Sequence, residues 1–138
     1  MPAPLIALYR HLRERLAVQR DRGSSTIQMV VLMPALFSIM FLGMQAALMY
    51  QARTVALAAA QEGARAGAAE NGSASAGISA AAAFMSSSTS GVTGTKVSGS
   101  RSGTTATVTV RTTSLSVIPG WKPAITQSAS MPVERLTR

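Results

Sequence analysis

The sequence predicts an α+β fold, in which a long N-terminal helix precedes a short second helix and a small antiparallel sheet, in a protein that crosses a membrane once. A run of 30 residues, Gly23 to Ala52, contains no Asp, Glu, Lys or Arg. An Ala-rich segment follows it, and Thr105 to Arg111 alternates between apolar and polar residues. These three patterns are typical of a membrane-spanning helix, of a helix that continues beyond the membrane, and of a strand.

The uncharged run is long enough to cross a bilayer. As a helix, its 30 residues would extend roughly 45 Å at about 1.5 Å per residue, which exceeds the hydrocarbon core of about 30 Å. A cleavable secretory signal is the alternative, since Ala56-Leu57-Ala58 resembles a signal cleavage site. The apolar region of such signals is only about 7 to 15 residues long, so we favour a transmembrane helix.

The residues before the run predict its orientation. The first 22 residues contain five arginines but only Glu14 and Asp21 as acids. By the positive-inside rule, the N-terminus lies in the cytoplasm and the C-terminus outside, in a single-pass protein of the cytoplasmic (inner) membrane. Leu5, Leu8 and Leu12 recur at helical spacing, which fits either a basic amphipathic helix on the inner leaflet or a loosely ordered leader.

The Ala-rich segment extends the membrane helix. Ala, Gln, Glu and Arg dominate it, so one helix is predicted from about Ile27 to Ala69, ending before Asn71-Gly72. Glu62 and Arg65 are spaced to form an i, i+3 ion pair on this helix. Pro34 lies within the membrane half, where it frees a backbone carbonyl and is expected to bend the helix.

The remaining residues predict a second helix and three strands. Residues 73–88 form a short Ala-rich helix, capped by Ser73 or Ser75. Thr105 to Arg111 is a strand with a partner just before it, and Ala124 to Met131 is a third strand. The sheet has few large apolar residues, so it should pack against the protruding helix. They are Val97, Val108, Val110, Ile118, Trp121, Ile125 and Met131.

These predictions divide the chain into four segments. Residues 1–23 form a basic cytoplasmic leader, residues 24–52 the transmembrane half of the long helix, and residues 53–70 its protruding half. Residues 71–138 form a small extracytoplasmic α+β domain.

The residue types argue against an enzyme. The chain has no cysteine, and its one histidine, His11, lies in the leader. Beyond the membrane run the acids are Glu62, Glu70 and Glu134, with no aspartate. We therefore expect no catalytic residues, no metal site and no cofactor. The net charge of +8 is scattered and accompanied by one tryptophan, so no nucleic-acid partner is expected.

The junction before the membrane run has a local explanation in helix capping. Ser25-Thr26-Ile27-Gln28 fits the S-x-x-Q capping box, in which the Ser and Gln side chains satisfy free backbone N–H groups at a helix start. The glycine before it, Gly23, fits a flexible hinge at the membrane surface.

The same junction also resembles a known family. The stretch "DRGSSTIQMVVLMPALF", followed about 20 residues later by "AAAQEGARAGAA", resembles the TadE/TadG-like minor pilins (pseudopilins) of type IV and tight-adherence (Flp) pilus systems. The resemblance extends from about Asp21 to Ala69 and returns weakly at "PVERL", residues 132–136. It implies that a membrane prepilin peptidase cuts between Gly23 and Ser24. The implied partners are this peptidase, other pilin and minor pilin subunits, pilus assembly platform proteins and membrane lipid.

One position departs from the family pattern. Most members have Glu at the fifth mature position, where its carboxylate is thought to meet a neighbouring subunit's N-terminal amine, and this chain has Gln28. An uncharged amide favours a minor, priming or tip-proximal subunit over one within the shaft. Candidate subunit contacts are Gln28, Pro34, Glu62 and Arg65. The competing hypothesis is an uncleaved single-pass anchor that displays a small extracytoplasmic binding module.

Overall fold

The computed structural model confirms the predicted α+β class. It describes the backbone of residues 3–88 and 91–134, and the side chains of residues 26–88 and 91–134. Two compact units divide the chain, one up to Leu42 and one from Gly43 onward. The elements, in chain order, are α1 (Ala3–Ala68), α2 (Ala74–Ser87), β1 (Val92–Arg101), β2 (Thr105–Ser114) and β3 (Ala124–Pro132).

Helix α1 starts much earlier than predicted. It runs from Ala3 to Ala68, whereas the sequence predicted a start near Ile27. Residues 3–22 are rich in Leu, Ala and Arg, and helix propagation is cooperative, so the small residues after Gly23 do not interrupt it. The leader backbone is therefore helical. Its predicted apolar face lies outside the described side chains.

Helix α2 begins at the predicted cap. The Ser73 hydroxyl accepts a hydrogen bond from the Ala76 N–H at 3.0 Å, while the Ser73 backbone is extended. This geometry satisfies one of the free N–H groups of the first turn, and such caps contribute about 1 kcal/mol. The Ser88 N–H donates to the Phe84 carbonyl at 3.1 Å at the other end.

The sheet is an antiparallel meander with β2 in the centre. Its strand order is β1-β2-β3, and the β2–β3 register pairs Val108 with Ala129. The predicted alternation of β2 is confirmed, because Ala106, Val108 and Val110 are buried while their neighbours are less so. Strand β1 carries an irregularity between Thr93 and Lys96, where Gly94 has a φ of +64°.

The core of the unit from Gly43 onward confirms that the sheet packs against the second half of α1. The buried apolar side chains that the helix contributes are all alanines, mostly at spacings of three and four, which is one helix face. They meet Val108, Val110 and Ile125 of the sheet and Met85 of α2. The buried alanines of α1 are Ala52, Ala56, Ala59, Ala60, Ala64 and Ala68.

Candidate functional site

The first candidate feature is an apolar surface that surrounds α1 on every side. Every large hydrophobic side chain from Ile27 to Leu42 is exposed. Successive residues point about 100° apart on a helix, so consecutive exposed residues such as Val30, Val31 and Leu32 leave no polar face. One helix among the described residues is long and apolar enough to cross a membrane. The candidate span lies within Thr26–Ala68, and its most apolar window has a mean hydropathy of 2.1 with none of it buried.

The predicted processing junction lies inside the helix. Gly23 and Ser24 have helical backbone within α1. The backbone from Ser25 to Gln28 is likewise helical, so in the uncut chain no helix begins at the predicted capping box. Cutting after Gly23 would expose the first-turn N–H groups that the box would satisfy and give the motif its function. The Gln28 side chain is exposed.

Pro34 lies within the helix without ending it. Helix α1 continues through Pro34 to Ala68. The Ser38 hydroxyl donates to the Pro34 carbonyl at 2.7 Å, which satisfies this hydroxyl without water, as an apolar surrounding requires. The bend expected at Pro34 stays a prediction.

The predicted ion pair between Glu62 and Arg65 is present. An Arg65 guanidinium nitrogen lies 2.8 Å from a Glu62 carboxylate oxygen, with the side chains 68% and 46% exposed, respectively. An exposed pair of this kind contributes at most about 1 kcal/mol to stability. Its position leaves both groups accessible to another molecule.

A close helix crossing fixes the small domain on α1, and the sequence analysis did not identify it. A Cβ atom built at Gly63 would lie 2.6 Å from the Gly77 carbonyl oxygen, and one built at Gly77 would lie 2.8 Å from the Gly63 carbonyl oxygen. Real Cβ atoms do not approach so closely, so α1 and α2 meet backbone to backbone. Val108 of β2 packs against the same crossing, because its Cγ1 atom would lie 3.0 Å from a Cβ atom built at Gly63.

The C-terminal end of α1 is held by the sheet. The Arg101 guanidinium donates to the carbonyl of Gly72 and, at 3.1 Å, to that of Ala69. The Glu134 N–H donates to the Ala68 carbonyl at 2.9 Å. A cation and an N–H group at a helix C-terminus satisfy free carbonyls and oppose the helix dipole. Beside this contact lies an open cleft of about 550 Å³, lined in part by Glu70, Arg101 and Glu134.

A second contact, near the other end of this unit, involves one polar side chain of α1. Gln45 is only 2% exposed. Its Oε1 atom accepts hydrogen bonds from the Val117 N–H at 2.9 Å and the Ser116 hydroxyl at 3.0 Å. Gln45 thereby ties α1 to the loop between β2 and β3. The available sequence signal was a glutamine in the middle of the otherwise apolar stretch from Ile39 to Met49.

The six predicted site residues do not converge on one place. They are all on α1, at the junction, in the apolar half and in the protruding half: Gly23, Ser24, Gln28, Pro34, Glu62 and Arg65. The described residues contain no cluster of three or more His, Cys, Asp or Glu side chains that could hold a metal ion. The candidate functional site is therefore the helix surface itself.

The comparisons with known proteins agree with this location. Residues 23–65 match the family model described as TadE-like protein, which is just under a third of the 138-residue chain. No curated protein and no solved structure matches the chain. The match begins at the junction glycine and ends at Arg65 of the exposed ion pair. Over the helix from Gly23 to Arg65, the chain is therefore similar to the TadE-like family, and the resemblance found in its sequence is confirmed there.

Proposed function

We propose that this protein is a pilin-like structural subunit without enzymatic activity, cut after Gly23, that takes part in assembling or priming a Tad-type surface pilus. The observation that carries the proposal is the apolar, exposed helix surface from Ile27 to Leu42, which follows the junction closely and lies within the residues that match the TadE-like family. A helix of this kind is suited first to lipid and then to packing against the helices of other subunits.

The unit from Gly43 onward also fits a subunit that is extracted from a membrane. The small domain is fixed to α1 by the glycine crossing, by the Arg101 hydrogen bonds and by Gln45. Because these contacts are all within the unit from Gly43 onward, movement of that part of α1 carries the domain with it. Its partners would be the prepilin peptidase, other pilin subunits and the assembly platform proteins.

The mature N-terminus tests the proposal. Mass spectrometry of the protein from its native cells is expected to give a chain that begins at Ser24. A native chain that begins at Met1, or one cut near Ala59, contradicts the pilin proposal.

Quantitative mass spectrometry of sheared filaments gives the number of copies of this subunit per filament. Gln28 lacks the charge that would pair with a neighbour's amine, so few copies are expected. An abundance equal to that of the major pilin contradicts a priming role.

The orientation has its own test, because the chain contains no cysteine to interfere with labelling. Single cysteines replacing the exposed Ser86 and Ser130 should react with a membrane-impermeant maleimide added to intact cells. In cells that lack the prepilin peptidase and so keep the leader, a cysteine replacing Ala17 should react only after the cells are opened. The opposite labelling pattern would reverse the proposed topology, in which the N-terminus faces the cytoplasm.

An uncleaved anchor with a binding module is the second candidate. The cleft that contains Glu70, Arg101 and Glu134 is the observation in its favour. The Arg101 guanidinium, however, already donates to the carbonyls of Ala69 and Gly72, so part of its hydrogen-bonding capacity is used within the fold. We therefore prefer the pilin-like function.

A further inference from the structure

The loop between β2 and β3, residues 115–123, exposes a concentration of apolar side chains. Leu115 is 48% exposed, Ile118 37% and Trp121 44%. Among the described residues after Met44, the only other exposed large hydrophobic side chains are Tyr50 and Leu57. Ile118 and Trp121 were predicted to belong to the sheet, yet both are exposed and neither is part of its core. Solvent exposure of three such groups in one loop is unfavourable unless something covers them.

The loop is ordered by its own backbone hydrogen bonds, so its apolar side chains are exposed by a defined conformation. The Trp121 N–H donates to the Ile118 carbonyl at 3.2 Å, closing a turn around Pro119 and Gly120. Gly120 has a φ of +79°, as a type II turn with Pro in the preceding position requires. At the base of the loop, the Ser114 N–H donates to the Pro123 carbonyl at 3.0 Å.

The attachment of the loop to Gln45 indicates what covers it. By residue count, a membrane segment that begins at Thr26 needs about 20 residues to cross the hydrocarbon core, and so reaches the far side near residue 45. Gln45 is the residue that the loop holds, through Ser116 and Val117. The loop is therefore attached at the level where the helix leaves the hydrocarbon.

The loop composition matches the boundary between lipid and water. Trp and Tyr are enriched at this boundary because their rings are amphipathic, and a Lys side chain there can extend its ammonium group towards phosphate. Lys122 follows Trp121 directly and is exposed. Tyr50, 74% exposed, lies about 7 Å further along α1 than Gln45 at 1.5 Å per residue.

We propose that the β2–β3 loop is a second membrane contact, which inserts Leu115, Ile118 and Trp121 into the headgroup region of the leaflet from which α1 emerges. Lys122 lies against the lipid phosphates. The loop thereby gives the small domain an attachment to the bilayer in addition to α1, until the subunit leaves the membrane. This proposal depends on membrane anchoring by α1, but on neither processing nor pilus assembly.

Trp121 is the only tryptophan of the chain, so its fluorescence reports on this loop alone. The full chain is reconstituted in vesicles of phosphatidylcholine and phosphatidylglycerol, and flotation after an alkaline wash establishes that the chain is inserted. Lipids brominated near the headgroup should then quench Trp121 more strongly than lipids brominated deep in the chains. Quenching by aqueous acrylamide should fall several-fold below that of free tryptophan.

A relocated tryptophan provides the matched control. Trp121→Phe combined with Ser130→Trp moves the probe to an exposed position about 20 Å along β3 from the start of that strand. This variant should be quenched fully by acrylamide and not by brominated lipid. If inserted wild-type protein behaves like the control, the proposal is wrong, and the loop is a surface for another protein. If the chain does not float with the vesicles, membrane anchoring fails and the proposal fails with it.

Discussion

Replacing Gly63 by Leu is expected to detach the small domain from α1. The Cβ atom alone would lie 2.6 Å from the Gly77 carbonyl oxygen and 2.8 Å from the Ala81 Cβ. The first of these atoms belongs to the backbone of α2, so no side-chain rotation relieves the contact. Overpacking typically costs about 1 to 3 kcal/mol, and a Leu side chain that displaces a whole helix should exceed about 4 kcal/mol. Since small domains are stable by only about 5 to 15 kcal/mol, a large fraction of the stability is lost.

Alanine substitutions at neighbouring glycines separate this contact from helix propensity. Gly63→Ala gains about 1 kcal/mol of helix propensity but creates the same Cβ contacts, so a net loss of about 1 to 2 kcal/mol is expected. Gly67→Ala is the matched control one turn later. Its Cβ would lie 3.4 Å from the Ala106 Cβ, which is ordinary van der Waals contact. This variant should be neutral or more stable by up to about 1 kcal/mol.

Thermal unfolding followed by circular dichroism, and limited proteolysis of the full chain in detergent, measure these effects. The Gly63→Leu protein should lose the cooperative transition of the sheet while α1 remains helical. Proteolysis should then remove residues that wild-type protein protects. Equal stability of the Gly63→Ala and Gly67→Ala proteins would contradict the close crossing.

Local patterns in the sequence were sufficient to predict each element of this fold. The alternation of Thr105 to Arg111 identified the central strand, and a serine at the start of an Ala-rich run identified the Ser73 cap. The Ala-rich segment identified the part of α1 on which the sheet packs. Each of these features depends on residues that are close together in the chain.

Contacts between distant segments were not predictable in the same way. Gly63 was one of several small residues in its segment, and its role depends on Gly77 crossing it. Arg101 resembled any other surface cation, yet it caps a helix that ends about 30 residues earlier. The start of α1 was wrong because the weak breakers after Gly23 do not outweigh the helix formers on both sides.

The candidate site was predictable from sequence because it is linear. Its residues follow one another along a single helix, so a motif can identify them without knowledge of the fold. The β2–β3 loop was not predicted as a membrane contact, because its position along α1 depends on the hydrogen bonds that Ser116 and Val117 donate to Gln45. Residues that act by contacting other molecules need few contacts within their own chain, so the fold alone does not identify them.

Gly23→Leu is expected to retain the leader on essentially every chain. One reason is structural, because the Gly23-Ser24 peptide bond lies within continuous α1. A peptidase that binds its substrate extended must first unwind this helix locally. Gly23 and the three residues after it, Ser24, Ser25 and Thr26, all have low helix propensity, so unwinding is easier here than elsewhere in α1.

An alanine at the same position separates unwinding from steric exclusion. Ala and Leu both favour helix by about 1 kcal/mol over Gly, so either should slow cleavage about five-fold if unwinding alone limits the rate. Only Leu also places a bulky side chain in the peptidase cleft, so Gly23→Leu should be cut far more slowly than Gly23→Ala. Pulse-chase labelling of the precursor, with the prepilin peptidase coexpressed, measures both rates. Equal slowing by the two substitutions would assign Gly23 to helix unwinding alone, and unchanged cleavage of both variants would place the processing site elsewhere.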